Sequence, residues 1–266
     1  MSYLFYIFAN SYKFYCCMKK ILLVLAFFPA IWFASCREES ELSVINTHVT
    51  LSVGKTEKIS FSGTIKSIES TDRFVASIDG YSVTGEHVGT ASIIINSGEY
   101  IIPVKISGWY DIYSDPLTAW NCSMDSVENY AKKEWGISSA AESDSSALVY
   151  RDFGKSDLML YLFDDDKLTG VVTALDSQYA SEIGDYLSER YYLSFPFDLG
   201  SYTFGGMNAY EIGEATTFVY VKVHSSKIIV AYVPARPTTV SDAESLGIMA
   251  FEKMEDFLEE TVYSLQ

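Results

Sequence analysis

The side chains in this sequence that are suited to chemistry stand apart from one another. Cys122 is a thiol and His224 a base. Paired, they would serve as nucleophile and proton acceptor, but nothing in the sequence links them, and a cysteine on a small polar surface is the simpler expectation. Asp164, Asp165 and Asp166 offer carboxylates to a divalent cation. Oxygen cages alternate their ligands along a loop, whereas these three are contiguous between two apolar runs, so a solvated hairpin turn is expected. Asp125, Glu128 and Glu134 read as the wet face of a helix, and His48 and His87 as isolated surface or loop histidines. No glycine-rich phosphate loop and no serine elbow stand out. One stretch, 191–206, departs from ordinary composition. Its six aromatics, Tyr191, Tyr192, Phe195, Phe197, Tyr202 and Phe204, lack helical periodicity. They read either as a platform for a glycan or protein or as rings capping a sheet. No catalytic group, metal or cofactor is expected, and a hydrolase is the weakest functional reading.

The elements that position these residues begin with an export segment. Met18-Lys19-Lys20 opens a positive region, and Ile21 to Phe33 is an apolar run broken by Pro29. Its length, about 13 residues, falls short of the roughly 20 that a spanning helix needs. Ala34-Ser35-Cys36 closes it with small residues ahead of a thiol, the build of a secretory signal. The segment resembles a bacterial lipoprotein signal with Phe33-Ala34-Ser35-Cys36 as its lipobox, Phe33 standing where leucine is usual. The resemblance implies diacylglycerol on Cys36 and a membrane partner through that lipid. Arg37-Glu38-Glu39-Ser40-Glu41 then resembles the export tether of surface lipoproteins in the Bacteroides group. An outer-membrane protein facing the cell surface is expected, with the periplasmic face as the alternative. Residues 1–17 fit no such signal, and Met18 is the expected start. With Cys36 acylated, Cys122 is the mature chain's sole thiol, which excludes an intramolecular disulfide or a cysteine metal cluster.

Charge narrows the partners. The 266 residues carry a net charge of −16, and the first 35 contain three lysines and no acids, leaving 16 basic against 35 acidic residues, −19, from Cys36 onward. Such a surface repels nucleic acid. The chain is 48% hydrophobic and 15% aromatic, enough for substantial cores.

From 42 to 107 the sequence runs in short β-rich segments: Val49–Val53, Lys58–Phe61, Phe74–Ile78, Tyr81–Thr84, Thr90–Ile95 and Tyr100–Ile106, with Pro103 suiting an edge strand. Leu51-Ser52-Val53-Gly54-Lys55-Thr56, Val75–Gly85 and Gly89-Thr90-Ala91-Ser92-Ile93 resemble successive parts of a group 2 bacterial Ig-like domain. The resemblance implies an all-β sandwich acting as spacer or, less often, adhesin.

After an aromatic connector over 109–120, an α+β domain over 109–266 is expected. Val127, Tyr130, Ala131 and Trp135 share one helical face ending at Gly136. Ala147–Phe153, Leu158–Phe163 and Leu168–Leu175 read as strands. The pattern recurs: Ile183, Tyr186, Leu187 and Tyr191 repeat the helical face at an offset of 56, and Tyr150 onward aligns without gaps to Tyr210 onward at an offset of 60. A tandem helix-plus-three-strand antiparallel repeat, over about 122–175 and 177–235, is expected to form one sheet with helices on one face. Ser241-Asp242-Ala243-Glu244 fits a capping box for a final amphipathic helix. The whole reads as a non-enzymatic binding or adhesion lipoprotein. The alternative is an inhibitor or assembly factor, since the element order is loosely similar to that of β-lactamase inhibitory protein.

Overall fold

The computed structural model describes residues 41–195, 202–224 and 226–235. Cys36 and its export segment, Phe197 and the expected C-terminal helix lie outside the described residues. Nine short strands come from the first part: β1 (Ser43–Val44), β2 (Val49–Ser52), β3 (Thr56–Lys58), β4 (Phe61–Ser62), β5 (Ile68–Ser70), β6 (Ala76–Asp79), β7 (Ser82–Gly85), β8 (Gly89–Ile95) and β9 (Tyr100–Ser107). β1 and β4 pair antiparallel, Ser43 opposite Ser62, within a small unit that among the described residues comprises 41–44 and Phe61–Ile65.

Everything else described belongs to one larger compact unit. Within it, β2-β9-β8-β5 form a four-stranded sheet and β3-β7-β6 a three-stranded one. Alternation along β9 turns Ile102, Val104 and Ile106 inward and Ile101, Pro103 and Lys105 outward. The two sheets meet closely at Gly85, where an added Cβ would lie 2.9 Å from Ile106 Cδ1 and 3.1 Å from the Ser52 carbonyl oxygen. The expected Lys58–Phe61 strand is divided, β3 ending at Lys58 and β4 beginning at Phe61.

Pro103 does not lie on an edge. β9 is flanked by β2, in parallel, and by β8, antiparallel. The missing N–H is tolerated for a local reason. Pro103 sits opposite Ser92, whose N–H and C=O both turn toward Thr71: Ser92 N–H donates to Thr71 Oγ1 at 2.9 Å, and Thr71 N–H to Ser92 O at 2.9 Å. On the other side, the ladder with β2 starts one residue later, at Val49–Val104.

The second part carries α1 (Met124–Tyr130), continued by a π-turn over Ala131–Trp135 and stopped by Gly136 at φ 72°. There follow β10 (Glu142–Ser143), β11 (Ala147–Phe153), β12 (Ser156–Asp164), β13 (Lys167–Asp176), α2 (Ala180–Ser188), β14 (Tyr192–Phe195), β15 (Tyr202–Met207), β16 (Thr217–His224) and β17 (Lys227–Pro234). The strands form one antiparallel sheet in the order β10-β11-β12-β13-β17-β16-β15-β14, joined at its centre by β13 and β17. Thus the described chain is predominantly β, in several sheets.

Both faces of the large sheet are apolar. One carries Leu148, Tyr150, Met159, Tyr161, Val219 and Tyr232, packed with Val127 and Ala131 from the first helical segment and Ile183, Tyr186 and Leu187 of α2. The other carries Val149, Leu160, Val172, Phe218, Tyr220 and Ala231. The register corrects the gap-free alignment. β16 and β17 stand 60 residues after β12 and β13, as expected. In contrast, Arg151 pairs with Leu158 while Met207 pairs with Phe218, so β15 stands 56 residues after β11. Four extra residues enter between β15 and β16.

Candidate functional site

The chain leaves β9 at Ser107 and passes Gly108, where an added Cβ would lie 2.5 Å from Glu189 Oε2 and 3.1 Å from Arg190 Nη1. Glycine therefore lets the backbone close on a carboxylate that is only 6% exposed. Glu189, following α2, accepts the Trp109 N–H on both oxygens at 2.9 Å and the Tyr110 N–H on Oε2 at 3.2 Å. Its main-chain oxygen accepts the Val88 N–H at 2.7 Å. Trp109 Nε1 donates to Val53 O at 2.9 Å, and Lys55 Nζ stands 5.4 Å from the indole centroid. A buried carboxylate without partners would be costly; here main-chain donors from the connector satisfy it. Neighbouring Arg190 donates to Asp115 Oδ1 at 2.5 Å and lies 3.7 Å over the Tyr186 ring.

Next to this clamp, four rings meet. Phe74 and His87 stack at 3.8 Å with planes 4° apart, and His87 Nδ1 donates to Phe74 O at 2.8 Å. Both are buried, at 8% and 9% exposure. Tyr210 stands edge-on to the stack, 5.1 Å from Phe74 and 5.7 Å from His87, and Tyr192 of β14 stands 5.6 Å from Tyr210 at 74°. Tyr192 and Tyr210 are 39% and 45% exposed. Two half-exposed rings at nearly a right angle thus form an open corner floored by a buried stack.

The loop bearing Tyr210 is held at its base. Asn208 Nδ2 donates to Thr216 Oγ1 at 2.8 Å, and Asn208 Oδ1 accepts the N–H groups of Thr216 and Thr217 at 2.9 Å each. Ala209, Ile212 and Ala215 pack into the sheet's second face. The extra residues therefore build a pinned loop that presents Tyr210 together with the exposed acids Glu211 and Glu214. Burial, Glu86, Tyr192 and Asp72 raise the Tyr210 phenol above its ordinary value, whereas burial chiefly lowers the His87 imidazole.

The aromatic stretch anticipated from sequence divides. Tyr192 joins the corner, but Tyr191 turns inward to Tyr232, 5.8 Å between centroids, and burial raises its phenol strongly. The backbones of Phe195, Tyr202 and Phe204 lie in β14 and β15; their side chains lie outside the described residues. Tyr210 and Phe74 had no place in the expected platform. His87, expected as an isolated surface or loop residue, is in a loop but buried, because the flat Phe74 ring covers it.

Cys122 and His224 do not meet. The Cys122 main-chain oxygen accepts the Leu168 N–H near the start of β13, while His224 pairs with Lys227, which pairs with Asp176 at the far end of β13. At about 3.4 Å per residue this places their backbones roughly 27 Å apart along the sheet. Nor is Cys122 a surface thiol: it packs partly buried against the helix-side core, and burial raises its pKa. Asp165 and Asp166 form the two-residue loop of the β12–β13 hairpin, with φ of 47° and 58°, as in a type I′ turn. Asp166 Oδ1 accepts the Met124 N–H at 3.0 Å, holding the start of α1. Among the described residues, no group of three or more His, Cys, Asp or Glu side chains is placed to hold a metal ion. No described helix is long and apolar enough to cross a membrane.

No family model matches the chain, and no curated protein does. Two solved structures align with it: domains 5–6 of the S-layer protein SbsC, at 12% identity over 75% of this chain and 86% of that one, TM-score 0.21, and domains 4–9 of the same surface layer protein, at 11% identity over 75% of this chain and 27% of that one, TM-score 0.20. Likeness that slight carries no argument about fold or role.

Proposed function

We propose that this chain is a cell-envelope lipoprotein that works by binding. Lipid on Cys36 and the tether over 36–41 hold it at the outer membrane, facing outward. An Ig-like spacer over 42–107 carries a head over 109–266 built from a duplicated unit of one helix and four strands, one strand more than the expected helix-plus-three-strand repeat, because β10 and β14 add a short strand to each half. The two facing sheets, with β2 parallel to β9, support the spacer. Support for the duplication comes from the mirrored strand order about β13 and β17 and from the shared offset of 56 between the helices and between β11 and β15.

The observation that carries a binding role is the corner of Tyr192 and Tyr210. Large aromatic surface left half exposed on a pinned loop is suited to contact with a glycan or a protein. The test applies the full chain to a glycan array and to envelope extract, alongside Tyr192→Ala and Tyr210→Ala. Retention of a ligand that both substitutions abolish supports the reading; retention that neither changes refutes it. Capture of a stoichiometric envelope protein through these rings would favour the inhibitor or assembly role. The anchor is tested separately: Cys36→Ala should abolish palmitate labelling and release the protein from the membrane fraction.

A further inference from the structure

The binding role rests on the aromatic corner, and the charges around that corner narrow what it takes. Asp72 sits at the foot of the buried stack, its Oδ1 accepting the Phe74 N–H at 2.9 Å and the Val75 N–H at 3.3 Å. Glu86 directly precedes His87, and its Oε1 accepts the Ser77 hydroxyl at 2.5 Å. Glu211 and Glu214 lie on the Tyr210 loop, whose turn is closed by Glu214 N–H donating to Glu211 O at 3.0 Å. Carboxylates therefore arrive from both sequence segments that build the corner, and the surrounding mature chain is strongly acidic. Bases near the corner include Arg73, which is exposed, Arg190, which is engaged by Asp115 and the Tyr186 ring, and Lys55, which stands over the Trp109 ring of the adjoining clamp.

Aromatic faces alone suit the C–H faces of sugars as well as apolar side chains. Rings set nearly perpendicular, with carboxylates around them, suit a cation: the ring quadrupoles attract positive charge, and the acids add a longer-range field. The same field opposes phosphates, sulfated glycans and acidic peptides. We propose that the corner of Tyr192 and Tyr210 receives lysine or arginine side chains from a basic segment of a partner protein. Recognition then works by one cation resting in the angle of the two touching phenols, against their exposed faces, with Glu86 and the loop acids attracting its neighbours. Arg73, being local and basic, competes for the same field.

The proposal is tested with the full chain and three probes of equal length: an oligolysine peptide, its glutamine counterpart and a neutral oligosaccharide. Binding is measured at low and high salt. Oligolysine should bind, the glutamine peptide should bind at least tenfold more weakly, and high salt should reduce oligolysine binding. Tyr210→Ala and Tyr192→Ala should each weaken oligolysine binding by about threefold to thirtyfold, the range for a ring–cation contact. Glu86→Gln should weaken it by about threefold, and Arg73→Ala should strengthen it. Equal binding of the lysine and glutamine peptides overturns the cation assignment. So does oligosaccharide binding that depends on Tyr210 but is indifferent to Glu86→Gln, an outcome that leaves the aromatic platform standing. Oligolysine binding that survives both tyrosine substitutions unchanged reports only net charge and overturns the site itself.

Discussion

Replacing Glu189 by alanine should do more damage than its solvent-facing neighbours allow. The carboxylate is 6% exposed and supplies the acceptors for two main-chain donors, the N–H groups of Trp109 and Tyr110. Each bond from an N–H to a charged acceptor contributes about 1.5–3 kcal/mol. Removing the desolvation cost of the carboxylate returns part of that. A net loss of about 3 kcal/mol is expected for Glu189→Ala, with two donors stranded where Gly108 has brought the backbone close. Glu189→Gln keeps one oxygen but turns an NH2 toward those donors, and about 1–2 kcal/mol should be lost. The Val88 N–H bond to the Glu189 main-chain oxygen survives in both variants, so the difference isolates the carboxylate. Urea unfolding followed by tryptophan fluorescence is the assay, with Trp109 itself reporting from the clamp. A Glu189→Ala protein within about 0.5 kcal/mol of the parent would refute the clamp as a source of stability.

Further substitutions probe separate elements. The Tyr150 hydroxyl is buried with no hydrogen-bond partner among the described residues, so Tyr150→Phe should leave stability unchanged or raise it by up to about 1 kcal/mol in urea unfolding. Gly85→Ala places a methyl against Ile106 and the Ser52 carbonyl and should cost about 1–3 kcal/mol, read as a lower midpoint. Gly136→Ala meets no neighbouring atom but must hold φ at 72°; a cost of about 1 kcal/mol from backbone strain alone is expected in thermal unfolding. His87 has its pKa lowered in the folded protein, first by burial. The folded state therefore binds its proton less readily than the unfolded chain. The stability conferred by the neutral ring is complete above about pH 6.5 and declines as pH falls through the lower folded value. Unfolding measured at pH 7.5 and pH 5 should show a steeper acid loss in the parent than in His87→Phe.

Legibility from sequence followed the locality of the cause. The hairpin at Asp165–Asp166 and the helix stop at Gly136 depend on a few adjacent residues, and both were readable. The slip between β11 and β15 was not. Strand side chains alternate with a period of two, so an insertion of four residues leaves the in-and-out pattern intact and an ungapped alignment looks equally good. That same slip hid Tyr210, which the alignment set opposite Tyr150 of the Ala147–Phe153 strand although it lies in the loop between β15 and β16. The stretch over 191–206 drew attention by composition alone, yet Tyr191 and Tyr192, adjacent in sequence, went to opposite environments. Phe74 and His87 lie far from the head in sequence, and only the closed backbone at Gly108 shows why they belong to its corner. Pro103 misled for a related reason: a missing N–H matters only where a neighbour needs it, and neither the Ser92–Thr71 bonds on one side nor the start of the β2 ladder at Val104 on the other is visible in sequence.

The parallel pairing of β2 with β9 has a mechanical consequence. The chain enters at one end of this ladder and leaves at the other, with Val49 to Ser52 running alongside Val104 to Ser107 and the Val53 N–H adding a bond to Ser107 O at 3.0 Å. Tension between the residues before β2 and those after β9 pulls the two strands past each other lengthwise. The bonds across them then share the load and must rupture together, whereas a hairpin pulled from its open end would unzip one rung at a time.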